Sequence, residues 1–161
     1  MRLAIISDTH MPRGTRRLPD SCVAELERAD AVLHCGDLMR AEVLAQLKAY
    51  GPPVHAIRGN VDDPGIGLPE RLEEDFGGVR VAMVHDPGPK KGRLERLRTR
   101  FPQAAAVLFG HTHMPEHLVA DDGFQAFNPG SPTERRRAPT HTMGIGTVEA
   151  GRLTLELVEV R

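Results

Sequence analysis

The chain has 161 residues, of which 40% are apolar and 27% are charged. This length favours one compact domain over two, so we expect a single domain that spans residues 1–161. The formal net charge is −1. The chain therefore has no overall positive field, and stable nucleic-acid binding is not expected.

The cysteines and the apolar runs bear on where the protein works. Cys22 and Cys35 are the only cysteines, and their places in a helical stretch and a buried-looking strand argue against a disulfide. The N-terminal apolar run is too short for a signal peptide, and no run approaches the ~20 residues of a membrane span. We expect a cytoplasmic protein without membrane attachment, and a homo-oligomer stays open.

Strands and helices alternate through the first two thirds of the chain. Continuous apolar runs predict strands buried on both faces, and apolar residues three to four positions apart predict helices. Asp20 is expected to cap the first helix, and Gly77-Gly78 to form a turn before the fourth strand. The predicted elements are strand 3–6, helix 20–29, strand 31–35, helix 41–50, strand 54–57, strand 79–84, helix 91–101 and strand 105–109.

The last third contains short strands separated by turns. Asp122-Gly123 and Ala150-Gly151 are expected to close hairpins between strands at 116–120, 124–128, 143–149 and 153–160. Alternating helices and strands followed by hairpins predict two sheets packed face to face, with helices outside. The expected fold class is α/β, a four-layer αββα sandwich of two mixed β-sheets flanked by helices.

Polar residues follow five of the predicted strands, at the edge where ligands bind in open α/β sheets. Asp8 and His10 are two positions apart, so in an extended chain their side chains would point the same way. Glycines at 36, 59 and 110 stand beside the polar residues and would let the backbone turn sharply. The candidate metal ligands are Asp8, His10, Asp37, Asn60, His85, His111 and His113.

Two carboxylates, one amide and four imidazoles are enough ligands for two metal ions that share a carboxylate, for which Asp37 is the natural candidate. Mixed nitrogen and oxygen ligands suit manganese, iron, zinc, nickel or cobalt better than calcium. With a bridging hydroxide, two divalent ions and two carboxylates leave about one positive charge, which favours a phosphate ester as substrate. Each motif alone is weak, because an isolated Gly-Asp is usually a turn. Their joint order is what indicates a hydrolytic centre.

The motifs resemble, in their order along the chain, those of the calcineurin-like metallophosphoesterases: Asp8-x-His10, Gly36-Asp37, Gly59-Asn60, His85 and Gly110-His111-x-His113. The short chain and the segment Asn128-Pro129-Gly130-Ser131-Pro132 are similar to the small YfcE-type phosphodiesterases. The resemblance implies a four-layer αββα fold, a dinuclear centre that commonly uses Mn²⁺ in assays, and a small phosphodiester substrate.

The same resemblance assigns roles to individual residues. One ion would be held by Asp8, His10, Asp37 and His113. The other would be held by Asp37, Asn60, His85 and His111. The catalytic residues would be Asp37, Asn60 and His85, with a metal-bound water as the nucleophile.

Two positions depart from the family pattern. Many members have a histidine as general acid where this chain has Val61, which can donate no proton, although the YfcE-type branch lacks that histidine too. Asp62 is then free for a structural role such as capping or a turn. Because general acid catalysis contributes ~10²–10⁴-fold, poor leaving groups should suffer most. Asp86 follows His85 where glycine is usual, and it could either reduce the surplus charge or bind a donor of the substrate.

Other polar residues have weaker assignments. Two arginine clusters could line the entrance to the site or lie in solvated loops, and for the first we favour a loop: Arg13, Arg16 and Arg17, and Arg135, Arg136 and Arg137. Two histidines in strands are expected to be buried or supporting residues, His34 and His55. Two others are expected at the surface or between strands, His117 and His141.

The leading hypothesis is a metal-dependent phosphoesterase that acts on diesters, because no clamp for a dianionic monoester is evident. The alternative is a non-catalytic metal-binding scaffold that mediates protein interactions, as the retromer subunit of this fold is interpreted. A scaffold would be expected to lose ligands or to expose an apolar patch, whereas all seven positions are filled here. A nuclease is disfavoured by the small size and the lack of a broad basic face.

Overall fold

The computed structural model describes residues 1–161, which form ten β-strands, three α-helices and a short 3₁₀ helix at Pro64–Ile66. The helices are α1 (Asp20–Glu27), α2 (Ala41–Ala49) and α3 (Arg93–Arg100). The strands are β1 (Arg2–Ile6), β2 (Ala31–His34), β3 (Val54–Ala56), β4 (Arg71–Phe76), β5 (Val79–Val84), β6 (Ala106–Leu108), β7 (Glu116–Val119), β8 (Gln125–Asn128), β9 (Thr142–Glu149) and β10 (Arg152–Glu159).

The strands form two five-stranded mixed sheets. The first has the order β10-β9-β1-β2-β3, in which β1, β2 and β3 are parallel and β9 is antiparallel to both of its neighbours. The second has the order β4-β5-β6-β8-β7, in which β5, β6 and β8 are parallel and the two edge strands are antiparallel. In each sheet, the loops that follow the parallel strands therefore leave from the same edge.

Alternate residues of the central strands face two different cores. Leu3 and Ile5 of β1 lie in the core between the two sheets. Ala4 and Ile6 face outward and pack beneath α1 and α2. The outer face of the second sheet packs against α3 through Leu97. The layers are helix, sheet, sheet and helix, which confirms the αββα fold predicted from the sequence.

The structure adds one strand that the sequence patterns do not predict. Strand β4 pairs with β5 in an antiparallel hairpin around Gly77-Gly78. Four of its six residues are charged, and Leu72 and Phe76 are the apolar residues that face the core. Charged residues are common on edge strands because they discourage pairing with another chain. They also remove the apolar run by which a strand is recognised.

The helix boundaries differ from those predicted by a few residues. Pro19 occupies the N-cap of α1, so Asp20 is the first helical residue rather than the cap, and its charge there suits the helix dipole. Helix α3 begins at Arg93, because Gly92 before it has a left-handed backbone (φ 68°). The two predicted hairpins, β7–β8 and β9–β10, are confirmed. None of the three helices is long and apolar enough to cross a membrane.

Candidate metal centre

The seven predicted ligands meet at the edge where the parallel strands of both sheets end. Each of them contacts at least one other member through a side-chain or backbone atom. Their loops follow β1, β2 and β3 of the first sheet and β5 and β6 of the second. The two sheets thus contribute to one site.

Five of these residues have a left-handed backbone: their φ values are 55° for Asp8, 45° for His10, 62° for Asp37, 68° for His111 and 59° for His113. The extended geometry predicted for Asp8 and His10 is therefore wrong. Hydrogen bonds from Asp8 N to Gly36 O and from His10 N to Asp37 O, both 3.0 Å, draw the first loop away from the strand direction. Such backbones cost about 1–3 kcal/mol each in non-glycine residues and are concentrated at functional sites.

The glycines beside the ligands leave room for ligand side chains. A Cβ on Gly59 would lie 2.1 Å from Asp37 Oδ1, and one on Gly110 would lie 2.7 Å from Asp8 Oδ2. Only Gly36 (φ 94°) also provides the left-handed turn expected of all three. Close approach, more than chain reversal, explains why glycine stands at these positions.

One oxygen of Asp37 faces histidines from both sheets. Asp37 Oδ2 lies 3.5 Å from His10 Nε2 and 3.3 Å from His85 Nε2. The other oxygen, Oδ1, accepts a hydrogen bond of 3.0 Å from Val61 N. Two ligand atoms bound to one tetrahedral ion at ~2.0–2.1 Å are about 3.3 Å apart. His10 and His85 therefore each lie at about the distance from Asp37 Oδ2 that two ligands of one ion would have.

Asp8, His10 and His113 form a buried cluster that we call the closed half of the centre. Their ligand atoms lie within 4.8 Å of one another, and His113 Nε2 is 3.4 Å from Asp8 Oδ1. The Nε2 atoms of both histidines are buried without a hydrogen-bond partner. Such orphaned nitrogens are rare in proteins. A metal ion between them would satisfy both.

Glu134 supports the closed half from behind. Its backbone oxygen accepts a hydrogen bond from His113 Nδ1, and its Oε2 lies 3.6 Å from His10 Nδ1. Arg16 Nη2 is 3.0 Å from Glu134 Oε1, so Arg16 is paired rather than solvated. Carbonyl and carboxylate oxygens behind metal-binding histidines orient the ring and raise its basicity.

The sequence patterns do not identify Glu134. Its only signal is its place just after the Asn-Pro-Gly-Ser-Pro segment, which the structure puts beside the centre. Ser131 Oγ donates a hydrogen bond to Asp8 O, and Thr133 Oγ1 donates one to Thr9 O. These contacts join residues more than 120 positions apart, so no local pattern reveals them.

Asn60, His85 and His111 form the open half of the centre. Asn60 Oδ1 lies 3.1 Å from His85 Nε2 and 3.0 Å from His111 Nδ1. His85 Nδ1 donates a hydrogen bond of 2.7 Å to Cys35 O, which turns Nε2 toward the centre. Asn60 is exposed and His111 is half-buried. A substrate can reach the centre from this side.

The charges of the centre suit a cation. Burial raises the pKa of Asp8 to about 7 and lowers the pKa of His113 to about 4. Burial alone would raise the pKa of Asp37, but the hydrogen bond and charge of His85 outweigh it and lower this pKa to about 2. A divalent ion would offset the cost of the buried carboxylates and bind His10 and His113, whose lowered pKa values favour the neutral imidazole. The residues therefore fit divalent metal ions.

His34 and Asp62 hold the ligand loops in place. His34 Nδ1 accepts a hydrogen bond of 3.2 Å from Gly36 N, so Nε2 carries the hydrogen donated to Thr9 Oγ1 at 3.1 Å. Asp62 has the structural role predicted for it, since it accepts hydrogen bonds from the backbone N–H groups of Asp37, Met39 and Gly59.

The remaining candidates lie apart from the ligands. His55 contacts Glu74 on the neighbouring sheet, and His117 contacts Gln125 at the surface. Asp86 accepts a hydrogen bond from Gly88 N and lines a cavity beside the open half.

A sequence profile of the calcineurin-like phosphoesterase superfamily domain matches residues 1–151. The chain belongs to this superfamily. The resemblance noted in its motifs is thereby confirmed. The family comprises metal-binding phosphoester hydrolases, and the donor set of the candidate centre agrees with that chemistry.

Two archaeal relatives cover most of the chain. A probable metallophosphoesterase of Methanothermobacter thermautotrophicus is 29% identical over 161 residues, which cover 98% of this chain and 92% of that protein. A probable metallophosphoesterase of Methanocaldococcus jannaschii is 32% identical over 141 residues, which cover 84% and 70% respectively.

Solved structures share the fold along the whole chain. Vps29 from Entamoeba histolytica in complex with Zn²⁺ matches with a TM-score of 0.79 at 22% identity, covering 99% of each chain. A novel archaeal phosphodiesterase matches with a TM-score of 0.72 at 20% identity, covering 98% of this chain and 100% of that one. At these identities the likeness shows the fold alone.

Proposed function

We propose that this metallophosphoesterase is a phosphodiesterase that hydrolyses a small diester at a dinuclear centre. The observation that carries the proposal is the position of Asp37 Oδ2, within 3.5 Å of His10 Nε2 and 3.3 Å of His85 Nε2. One ion would be bound by Asp8, His10, Asp37 and His113. The second would be bound by Asp37, Asn60, His85 and His111.

Two divalent ions bound there would supply an activated water and stabilise the charge that develops on the phosphoryl group. The protein's own residues divide the remaining work. The closed half excludes water from behind the ligands, because Asp8, His10 and His113 are buried. The open half admits the substrate, and the exposed amide of Asn60 has an Nδ2 group that can donate to a phosphoryl oxygen. The ligand set accepts Mn²⁺, Fe, Zn, Ni or Co.

Proton donation to the leaving group is the weak part of this centre. Val61 is 41% exposed and carries no donor. Asp62 cannot replace it, because its oxygens are occupied by three backbone N–H groups. We therefore expect p-nitrophenyl esters to be cleaved at least ~10²-fold faster than the corresponding alkyl esters.

The test is hydrolysis of bis-p-nitrophenyl phosphate by purified protein loaded with Mn²⁺. Asp37→Asn preserves the size of the side chain but removes the charge shared by the two histidines, and we expect a loss of more than ~100-fold. His117→Asn, an exposed histidine outside the centre, is the matched control and should keep the rate within about twofold. Equal rates for the wild type and Asp37→Asn would overturn the proposal.

A non-catalytic metal-binding scaffold is the second candidate, and the fold shared with zinc-bound Vps29 is compatible with it. The two candidates differ in a simple measurement. A scaffold would bind metal stoichiometrically, yet its rate with every diester would equal that of Asp37→Asn. All seven ligand positions carry residues that can bind a metal ion, which favours the enzyme over the scaffold.

A further inference from the structure

Two adjoining cavities extend from the centre on the side of His10. The first, of about 310 Å³, is lined by His10, Pro12, Arg13, Met39, Arg40 and Val61. The second, of about 450 Å³, shares Pro12 and Arg40 with the first and continues to Arg17. We call these two cavities together the arginine groove. Its volume is in the range of small-molecule sites.

The groove carries positive charge that the protein does not neutralise. Eight ion pairs of the protein involve an arginine, and none of them involves Arg13, Arg17 or Arg40. Glu42 supplies the one carboxylate in the walls of the two cavities. Arg16 also lines the second cavity, but it is paired with Glu134. The other three arginines against one carboxylate leave about two unbalanced positive charges, which a flexible anionic ligand can approach closely.

The cavity on the opposite side of the centre is different. It has a volume of about 370 Å³ and contains two arginines and two carboxylates, and Arg58 is paired with Glu70. The other two charged residues, Arg100 and Asp86, have opposite charges, so the cavity has no net charge. The centre thus lies between a cationic groove and a neutral cavity, so it can distinguish the two arms of a diester.

The part of the groove nearest the centre also offers apolar surface. Val61, 41% exposed, lies beside Met39 and Pro12 in the wall of the first cavity. Such a surface suits a ring more than a charged group. The first cavity thus combines the candidate ligand His10, this apolar surface and two arginines, and the second cavity continues from it to Arg17.

We infer that the arginine groove binds a substrate arm in which a nucleoside separates the scissile phosphate from a second phosphate. The substrates are then dinucleotide-like diesters. This rests on the proposed function and adds the substrate class. The apolar surface contacts the nucleoside, and guanidinium groups bind the second phosphate through charge-assisted hydrogen bonds.

The test compares two p-nitrophenyl esters with the same leaving group: that of thymidine 5′-phosphate, and that of thymidine 5′-phosphate with an additional 3′-phosphate. For Mn²⁺-loaded wild type we expect kcat/KM to be about tenfold higher for the second ester, chiefly through KM, because one charged hydrogen-bonded contact contributes about that factor. Arg40→Gln should reduce the ratio about tenfold. Arg40 makes no side-chain cap hydrogen bond to α2, so this variant should fold.

Arg100→Gln, in the neutral cavity, is the matched control and should change the ratio by less than about twofold. Calorimetry with thymidine 3′,5′-bisphosphate gives a second readout, and its affinity should fall about tenfold in Arg40→Gln. The inference is overturned if the wild-type kcat/KM ratio is near one, or if the ratio falls equally in Arg40→Gln and Arg100→Gln. The proposed function still stands in either case if bis-p-nitrophenyl phosphate is hydrolysed. No hydrolysis of any ester overturns both.

Discussion

The closed and open halves of the centre use the same side chains in different surroundings. In the closed half, His113 is fully buried and its Nδ1 donates to a backbone carbonyl. In the open half, His111, two positions earlier in the same loop, is half-buried and contacts Asn60. The two rings therefore differ in exposure and in the rigidity of their partners, although both have left-handed backbones.

The difference indicates a division of labour. A buried ligand with a fixed ring loses little freedom on metal binding, whereas an exposed one must be ordered and stripped of water. The closed half should thus hold its ion tightly, and the open half should bind more weakly while leaving space for substrate.

The strongest test compares the two histidines of one loop. His113→Ala should weaken Mn²⁺ binding by more than ~100-fold, because it removes a preoriented buried ligand. His111→Ala should weaken it by about tenfold, because its ligand is half-exposed. Calorimetric titration of the metal-free variants measures both affinities. Equal losses would remove the distinction between the halves.

The two halves meet where Gly59 packs against Asp37, and one added methyl group should disrupt this contact. In Gly59→Ala the Cβ would lie 2.1 Å from Asp37 Oδ1 and 2.4 Å from Asp37 N, so the loops must separate. We expect a loss of about 2–3 kcal/mol in the free energy of unfolding. Gly65→Ala is the control, since its nearest contact is an exposed side-chain oxygen at 3.2 Å. Urea unfolding of metal-free protein compares the two, and a Gly59→Ala loss no larger than that of the control would refute the tight junction.

The stability that buried His34 of the first sheet provides should decrease in acid. Burial lowers the pKa of His34 to about 4, against 6.5 for the unstructured side chain. The unfolded state therefore binds the proton first, so the stability from neutral His34 is present above pH 6.5 and is lost as the pH falls toward 4. Between pH 6.5 and 5 this amounts to about 2 kcal/mol. Urea unfolding of the metal-free proteins at pH 6.5 and 5 should show a smaller loss of unfolding free energy in His34→Gln than in the wild type. Equal losses would contradict the lowered pKa of His34.

The smallest effect concerns the carboxylate behind His10. Glu134→Gln keeps the backbone oxygen bound by His113 and the size of the side chain, but it removes the charge 3.6 Å from His10 Nδ1. We expect about tenfold weaker Mn²⁺ binding by calorimetry. Glu70→Gln, at an exposed ion pair, is the control. An unchanged affinity would mean that Glu134 acts through its backbone alone.

Several features of the molecule follow from local patterns. The apolar runs of β1 and β2 identify buried strands, and the polar residues just after them identify the ligand edge. Strand β4 has no such pattern, because its charges suit an edge rather than a core. The N-cap predicted at Asp20 lies one residue earlier, at Pro19, and the helix predicted from Lys91 begins two residues later, at Arg93, since caps depend on backbone angles that propensities do not specify.

Residue types and short spacings are enough to identify the superfamily, the layered fold and the seven residues that meet at the centre. How these residues meet depends on tertiary contacts. The left-handed backbones, the sharing of Asp37 between His10 and His85, and the support of Glu134 arise from contacts between distant loops. The division between a paired Arg16 and the unpaired arginines of the groove arises in the same way. Such contacts form when two sheets pack together, and no local pattern encodes them.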